Sequence, residues 1–228
     1  MLNRLNLYFS IFFFCVSLIF YYNPSSDIEI AKIFYHDVEG FYYAHHWLVK
    51  LIFRTVPIIT LTYGIALTAW TLILIKKGNN LYKIFLHISI IFSLILGSGA
   101  LVNLGLKDNF GRARPKQIKE FGAQKEFSKV YQMASQCYKN CSFSSGHAAA
   151  AYSITTVAFL VPKNRQIITY MLGIIYGTVV GFGRIVQGGH FISDITTSAW
   201  IVLLVTYILI SLFLYIVGFK NLDQGNTD

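Results

Sequence analysis

The stretch GRIVQGGHFISD (residues 183–194) places an arginine, a histidine and an aspartate between two apolar segments. Residues 167–183 and residues 195–219 contain no Asp, Glu, Lys, Arg or His. A membrane-spanning helix needs about 20 predominantly apolar residues, and both flanking segments have that character. The three ionisable side chains therefore lie at a turn between two predicted spans, where an ionisable group is by default a candidate for function.

The composition agrees with a membrane protein. Of the 228 residues, 55% are hydrophobic and only 13% are charged, whereas a soluble domain usually carries about 25% charged residues. A soluble helical bundle would need polar helix faces, and residues 195–219 offer none. The sequence therefore excludes an ordinary soluble enzyme or binding module.

Six segments are long and apolar enough to cross a membrane, so the sequence predicts an all-α integral membrane protein with a six-transmembrane helix bundle. The predicted spans, within a single domain over residues 1–228, are residues 5–22, 55–75, 84–106, 146–162, 167–187 and 195–219. Residues 27–54 are amphipathic and aromatic, which predicts an interfacial segment. Arg4 precedes the first span as in a signal peptide, but no small-residue cleavage site follows, which favours a retained signal anchor.

The distribution of bases predicts the orientation. Lys76, Lys77, Lys83, Lys163 and Arg165 fall in two short loops without acids, which are therefore expected inside. Residues 107–145 then form a long extracytoplasmic loop between helices 3 and 4. That loop holds eight bases and three acids, against the usual rule. Binding of a polyanion would explain the excess, and a solvated basic loop beside anionic headgroups is the alternative.

Three cysteines are present. Cys15 lies in the first span and is expected to pack there. Cys137 and Cys141 lie in the predicted outer loop, where an oxidising compartment would favour a disulfide. A metal site would need further ligands that the loop does not supply, so no metal is predicted.

Three polar clusters fall on the same side of a six-span protein: KDNFGRARP (residues 107–115), SSGH (residues 144–147) and residues 184–194. Their residue types suit a phosphate group. Lys107, Arg114 and Arg184 supply positive charge and fixed donors. Ser145 adds a hydroxyl, and Gly146 allows a backbone N–H at a helix N-terminus to approach an anion.

The remaining side chains suit nucleophilic catalysis. Asp194 follows His190 by four residues, so on a helical turn its carboxylate would accept the far N–H of the imidazole and leave the other nitrogen free as a nucleophile. His147 comes from another span and would protonate the leaving oxygen. Each of these residues alone is weak evidence, because a lone histidine or arginine at a membrane boundary is more often structural.

These clusters resemble the three signatures of the type 2 phosphatidic acid phosphatase (PAP2) family, K-x6-RP, PSGH and SR-x5-H-x3-D. The matching residues here are Lys107 with Arg114 and Pro115, residues 144–147, and Arg184 with His190 and Asp194. Two positions depart from the signatures, since Ser144 stands in place of proline and Gly183 in place of serine.

The resemblance implies a metal-independent phosphatase without a cofactor, which forms a phosphohistidine on His190 and uses His147 as the acid. It implies that Lys107, Arg114, Arg184, Ser145 and Gly146 hold the phosphate. The segments GRARP, QCYKNCSF and QGGHFISD are also similar to bacterial lipid A phosphatases of this family. That likeness implies a 1- or 4′-phosphatase of the bacterial inner membrane whose site faces the periplasm.

Several alternatives remain open at this stage. The substrate could instead be phosphatidylglycerophosphate or undecaprenyl diphosphate. The phosphohistidine could be captured by an alcohol in a phosphotransferase. A non-enzymatic anion-binding membrane protein could use the same basic pocket. The predicted partners are a phosphorylated lipid and the membrane, with no nucleic acid, and the sequence indicates no protein partner.

Overall fold

The structure is a computed structural model that describes residues 1–107 and 109–224, with side chains up to residue 217. It contains no β-strand within these residues. Seven α-helices are present: α1 Leu2–Tyr22, α2 Ser25–Lys32, α3 Trp47–Lys76, α4 Leu81–Ser93, α5 Gly146–Ser153, α6 Gln166–Val186 and α7 Ile192–Gln224. A π-helix, Leu94–Leu106, continues α4. Short 3-10 helices occupy Tyr42–His45, Pro115–Gln117, Lys119–Phe121, Ile154–Phe159 and Lys163–Arg165.

Five helices in the described part of the chain are long and apolar enough to cross a membrane: Leu2–Tyr22, Trp47–Lys76, Leu81–Leu106, Lys163–Val186 and Ile192–Val217. Many of their large apolar side chains are exposed on the outer surface of the bundle, for example Ile58, Leu61, Ile95 and Leu212. Such a surface requires lipid around it. The protein is therefore an all-helical, multi-pass membrane protein.

The fourth predicted span differs from the other five. Residues 146–162 form α5 and then the 3-10 helix Ile154–Phe159, which together extend about 24 Å. A typical bilayer core is about 30 Å thick. This segment is mostly buried among the longer helices, so the six-span count remains a prediction.

A row of glycines on α6 lets the short α5 segment lie close. Gly173, Gly177 and Gly181 are four residues apart and therefore share one face. A β-carbon at Gly177 would lie 2.3 Å from the ring of Tyr152, and one at Gly173 would lie 2.9 Å from the backbone of Thr155. Small residues at such positions are how membrane helices approach each other.

The first helix is packed into the bundle against α7. The side chain of Asn6 is buried, donates to the carbonyl oxygen of Leu203 at 2.7 Å and accepts from the hydroxyl of Tyr170 at 2.9 Å. Ser10 donates to the carbonyl oxygen of Trp200 at 2.9 Å. These bonds satisfy polar groups in an apolar interior, where an unpaired group is costly.

The segment predicted to lie at the interface, residues 27–54, is divided among several elements. It contains most of α2, a 3-10 helix and the first two turns of α3, which begins at Trp47 rather than at residue 55. The long loop packs onto this segment through an apolar cluster that joins α2, the loop and the turn before α7. Its buried members are Ala31, Phe41, Ala113, Ile118, Phe121 and Phe191.

Gly177→Ala should destabilise the protein, because the added methyl group would overlap the buried ring of Tyr152. Overpacking of this kind usually costs about 1–3 kcal/mol, which thermal unfolding of the purified protein in detergent would detect. Gly64→Ala is the control, since its methyl group would have no neighbour within 4 Å. Equal midpoints for the two variants would contradict the close α5–α6 packing.

Candidate active site

The three predicted clusters meet at one end of the bundle. His190 lies in the turn between α6 and α7 and is 1% exposed. Its Nδ1 lies 2.7 Å from the carbonyl oxygen of Ser142, in the segment that leads into α5. Arg184 and Arg114 are close enough to act electrostatically on this imidazole. Residues far apart in sequence thus surround one histidine.

The contact with Ser142 determines which nitrogen of His190 is free. A carbonyl oxygen can only accept, so Nδ1 carries the hydrogen and Nε2 of the neutral ring carries a lone pair. Burial lowers the pKa of His190 to about 3, an effect opposed by Asp194 and reinforced by the positive charge of Arg184. The ring is therefore neutral near physiological pH, as a nucleophile requires.

Asp194 acts on His190 less directly than the sequence suggested. Its Oδ2 lies 3.7 Å from Nδ1 of His190, which is too far for a hydrogen bond. That oxygen instead accepts from the hydroxyl of Ser142 at 2.6 Å and from the backbone N–H of Phe191 at 2.9 Å. The predicted helical turn is not formed because α7 begins only at Ile192, after the histidine. Asp194 thus fixes Ser142, and the carbonyl of Ser142 orients the imidazole.

A buried arginine joins Asp194 to the N-terminal part of the chain. Arg112 donates to Asp194 at 2.6 Å through Nη1 and to Asp27 on α2 at 2.8 Å through Nη2. Its Nε donates to the carbonyl oxygen of Ser128 at 2.8 Å, and its guanidinium lies 4.4 Å from the ring centre of Phe191. Arg112, Asp27 and Asp194 are each at most 1% exposed. The two carboxylates satisfy a cation that could not otherwise be buried.

His147, the second histidine, lies against an aromatic side chain. Its ring stacks on Phe53 of α3, with the ring centres 4.4 Å apart and the planes 17° from parallel. The guanidinium of Arg184 also lies over the Phe53 ring, at 4.7 Å. Nε2 of His147 is buried and makes no hydrogen bond within the described residues. This nitrogen is available to a bound group.

The predicted phosphate ligands occupy distinct positions around the histidines. Lys107, Arg184 and Arg114 are all close enough to act electrostatically on His147. Arg114 donates to the carbonyl and the side-chain oxygen of Asn140 at 2.8 and 2.9 Å, and Arg184 donates to the side chain of Gln187. Each arginine is thus held by a neutral partner, so its positive charge is not cancelled.

The N-terminus of α5 lies between these groups. Ser145 caps the helix, and its hydroxyl accepts weakly from the N–H of Ala148 at 3.4 Å. A β-carbon at Gly146 would lie 2.3 Å from the side-chain oxygen of Asn103, so any larger residue there would have to displace the Asn103 amide. The first N–H groups of a helix lack internal acceptors and favour an anion.

A disulfide lies next to the site. Cys137 and Cys141 are bonded, with their Cα atoms 5.6 Å apart. The bridge closes a short loop that contains Asn140, the partner of Arg114, and is followed directly by Ser142. Within residues 1–107 and 109–224, no group of three or more His, Cys, Asp or Glu side chains could hold a metal ion.

Residues 87–217 match the family model described as the PAP2 superfamily. The chain belongs to this superfamily. The matched region contains every residue of the three signatures and covers more than half of the sequence.

Several related proteins share the name lipid A 4′-phosphatase. The protein from Francisella tularensis subsp. novicida (strain U112) is 28% identical over 200 residues, which cover 83% of this chain and 86% of the relative. The proteins from Rhizobium etli and Rhizobium leguminosarum are 33% and 34% identical over half of this chain and 44% and 49% of their own lengths.

The fold is similar to that of a solved PAP2-type phosphatidylglycerolphosphate phosphatase from Bacillus subtilis. The TM-score is 0.58, with 17% identity over 95% of this chain and 98% of that structure. At this identity the similarity concerns the fold alone. The family and the lipid A phosphatase relatives identify the chain as a membrane lipid phosphatase of the PAP2 type, a phosphoric monoester hydrolase.

Four side chains that support the site carry no clear signal in the sequence. Arg112 and Ser142 contact Asp194 and Phe53 contacts His147, whereas Asp27 reaches the site through Arg112. In the sequence, Arg112 is one base among several in the predicted outer loop, and Asp27 is one acid in the predicted interfacial segment. Ser142 carries no ionisable group, and Phe53 lies in an aromatic-rich stretch without a motif. The sequence offers one signal for the contacts of Arg112, which is the pair of arginines in GRARP. Arg114 is a predicted phosphate ligand, and Arg112 close to it would need a partner if it were buried.

Arg112→Met should destabilise the protein strongly, because it leaves Asp27 and Asp194 buried without their cation. Removing one partner from a buried ion pair costs about 3–5 kcal/mol. Lys119→Met is the matched control, since Lys119 pairs with Glu126 and both side chains are 60% exposed. An exposed pair contributes at most about 1 kcal/mol. Similar unfolding midpoints for the two variants in detergent would contradict a structural role for the buried network.

Proposed function

We propose that this phosphatase removes the 4′-phosphate of lipid A through a phosphohistidine formed on His190. One observation carries the mechanism: Nδ1 of the buried His190 donates to the carbonyl of Ser142, which leaves Nε2 as a lone-pair nucleophile beside Arg184 and Arg114. The names of the related proteins support the substrate.

In the first step, Nε2 of His190 attacks phosphorus in line with the ester oxygen. A nitrogen–phosphorus bond forms while the bond from phosphorus to the 4′-oxygen of the sugar breaks. Burial and the positive charges of Arg184 and Lys107 lower the pKa of His147 to about 4, and the negative charge of a bound phosphate would raise it again. In the protonated form, His147 gives the leaving oxygen a proton through Nε2, which makes no hydrogen bond within the described residues. The lipid leaves as a free alcohol.

In the second step, water replaces the histidine. His147, now neutral, accepts a proton from the water as its oxygen attacks phosphorus. The nitrogen–phosphorus bond breaks, inorganic phosphate is released, and His190 returns to the neutral tautomer that Ser142 holds. The carboxylate of Asp194 stabilises the positive charge that His190 carries in the intermediate.

The phosphate oxygens are held by the surrounding cations and the α5 N-terminus. Arg114 and Arg184 are suited to paired hydrogen bonds with two oxygens, and Lys107 adds a third charge. The hydroxyl of Ser145 and the N–H groups at Gly146 add neutral donors. Their common effect is to stabilise the negative charge that develops in the transition state.

An apolar groove beside the site supports a lipid substrate. The groove has a volume of about 730 Å³ and lies between α3 and the α4–π-helix segment. Its wall includes Asn103, which contacts Gly146, and Ala150 of α5. Below them it is lined by apolar side chains such as Leu61, Ile65 and Ile95. An acyl chain in this groove would leave the headgroup beside the histidines.

The site is proposed to face the periplasm from the bacterial inner membrane. The disulfide between Cys137 and Cys141 lies at the same end as His190 and supports an oxidising compartment there. The basic loops at residues 76–83 and 163–165 would lie in the cytoplasm, in agreement with the positive-inside rule.

The proposal predicts that the purified protein in detergent micelles releases phosphate from lipid A in the presence of EDTA. Mass spectrometry of the product should show loss of the 4′-phosphate. Phosphatidylglycerophosphate, phosphatidic acid and undecaprenyl diphosphate, tested in parallel, should be poorer substrates. Recovery of the phosphate as an ester of an added alcohol, in place of inorganic phosphate, would indicate transfer instead of hydrolysis.

His190→Ala should lower kcat at least about 10³-fold, because nothing else in the site replaces the nucleophile. His45→Ala is the control, since His45 is an exposed histidine on a short 3-10 helix. Full activity of the His190 variant would contradict the mechanism, and a preference for another lipid would contradict the substrate.

A further inference from the structure

Two bases at the start of α3 have no partner among the residues that the structure describes. Lys50 and Arg54 are exposed, and neither side chain forms an ion pair or a hydrogen bond in the part of the chain that the structure describes. Residues 47–76 of α3 contain no acidic residue. Both side chains are thus free to bind an anion, and they stand four residues apart on one face of the helix.

That face is the one that lines the apolar groove. Residues three, four or seven apart on a helix lie on the same face. By this spacing, Lys50 and Arg54 share a face with Pro57, Leu61 and Thr68. The last three residues line the groove. Ile52, by contrast, faces α6, where it is the nearest neighbour of Gly183 at 4.0 Å. The two bases therefore lie at the mouth of the groove.

The same helical turn touches the catalytic histidine. Phe53 lies between the two bases in sequence and stacks on His147 at 4.4 Å. Three residues along an α-helix correspond to about 4.5 Å, so Lys50 is less than one turn beyond Phe53. The two bases therefore belong to the same part of α3 as the side chain that stacks on His147.

We propose that Lys50 and Arg54 form a second anion site, which binds a second phosphate of the same lipid while the first reacts. The inference rests on the proposed function. The reacting phosphate has its own cations in Lys107, Arg114 and Arg184, so the second pair would contribute to affinity and selectivity. In lipid A the two phosphates lie at opposite ends of a disaccharide, so only one can occupy the catalytic position.

A different explanation of the two bases is that they extend to bilayer headgroups, as lysine and arginine at helix ends often do. That role requires membrane lipid and has no relation to the number of phosphates on the substrate. Kinetics in detergent micelles without added phospholipid separate the two explanations, because only a substrate site remains occupied there.

The test compares two substrates with the full-length protein in detergent. One is lipid A with both phosphates, and the other is lipid A that carries only the 4′-phosphate. The double variant Lys50→Gln/Arg54→Gln should lose at least about tenfold in kcat/KM on the first lipid, mainly through KM, because up to three charge-assisted hydrogen bonds disappear. On the second lipid its kcat/KM should stay within about twofold of the unmodified protein.

The matched control is Lys163→Gln/Arg165→Gln, which removes the same two residue types from an exposed 3-10 turn before α6. It should be active on both lipids. An equal loss on both substrates, or no loss on either, in the Lys50 and Arg54 variant would overturn this inference. Failure of the unmodified protein to act on either lipid would overturn the proposed function, and the inference with it.

Discussion

The contact of Arg112 with Asp27 and Asp194 is the interaction on which the catalytic end of the molecule depends. A guanidinium that is 1% exposed can remain charged only where carboxylates replace its hydration. To meet this requirement, the long loop between the π-helix and α5, helix α2 and the start of α7 must converge. Asp194, fixed in this way, holds the hydroxyl of Ser142, whose carbonyl in turn orients His190. The position of the proposed nucleophile therefore follows from an ion network that is itself buried.

The sequence predicted the helices better than it predicted the contacts between the loops. Long apolar segments have few alternatives to a membrane helix, so five of the predicted spans correspond to long helices. The fourth predicted span differs because the glycines of α6 let α5 lie close to the longer helices. These helices shield α5 from lipid, and a shielded helix need not be long. Counting the predicted spans places the three polar clusters on one side of the membrane, and in the structure they lie at one end of the bundle.

The spacing of residues along the sequence could not predict which side chains pair where the backbone is irregular. His190 and Asp194 are four residues apart, but a turn separates the histidine from α7, so the direct hydrogen bond is replaced by one through Ser142. Asp27 and Arg112 are 85 residues apart, and no periodicity relates them. Phe53 belongs to a helix whose start lies eight residues before the predicted span. These contacts depend on how the loop folds over α2, which only the three-dimensional structure shows.

The central claim is that phosphate passes through His190, and direct detection of the intermediate tests it best. Lipid A labelled in the 4′-phosphate would be mixed with the protein, the reaction stopped with alkali on the millisecond scale, and the label located by peptide mapping. The account predicts an alkali-stable, acid-labile phosphate on the peptide that contains His190, and none in His190→Ala. A label on His147, or turnover of the substrate without any labelled protein, would contradict it.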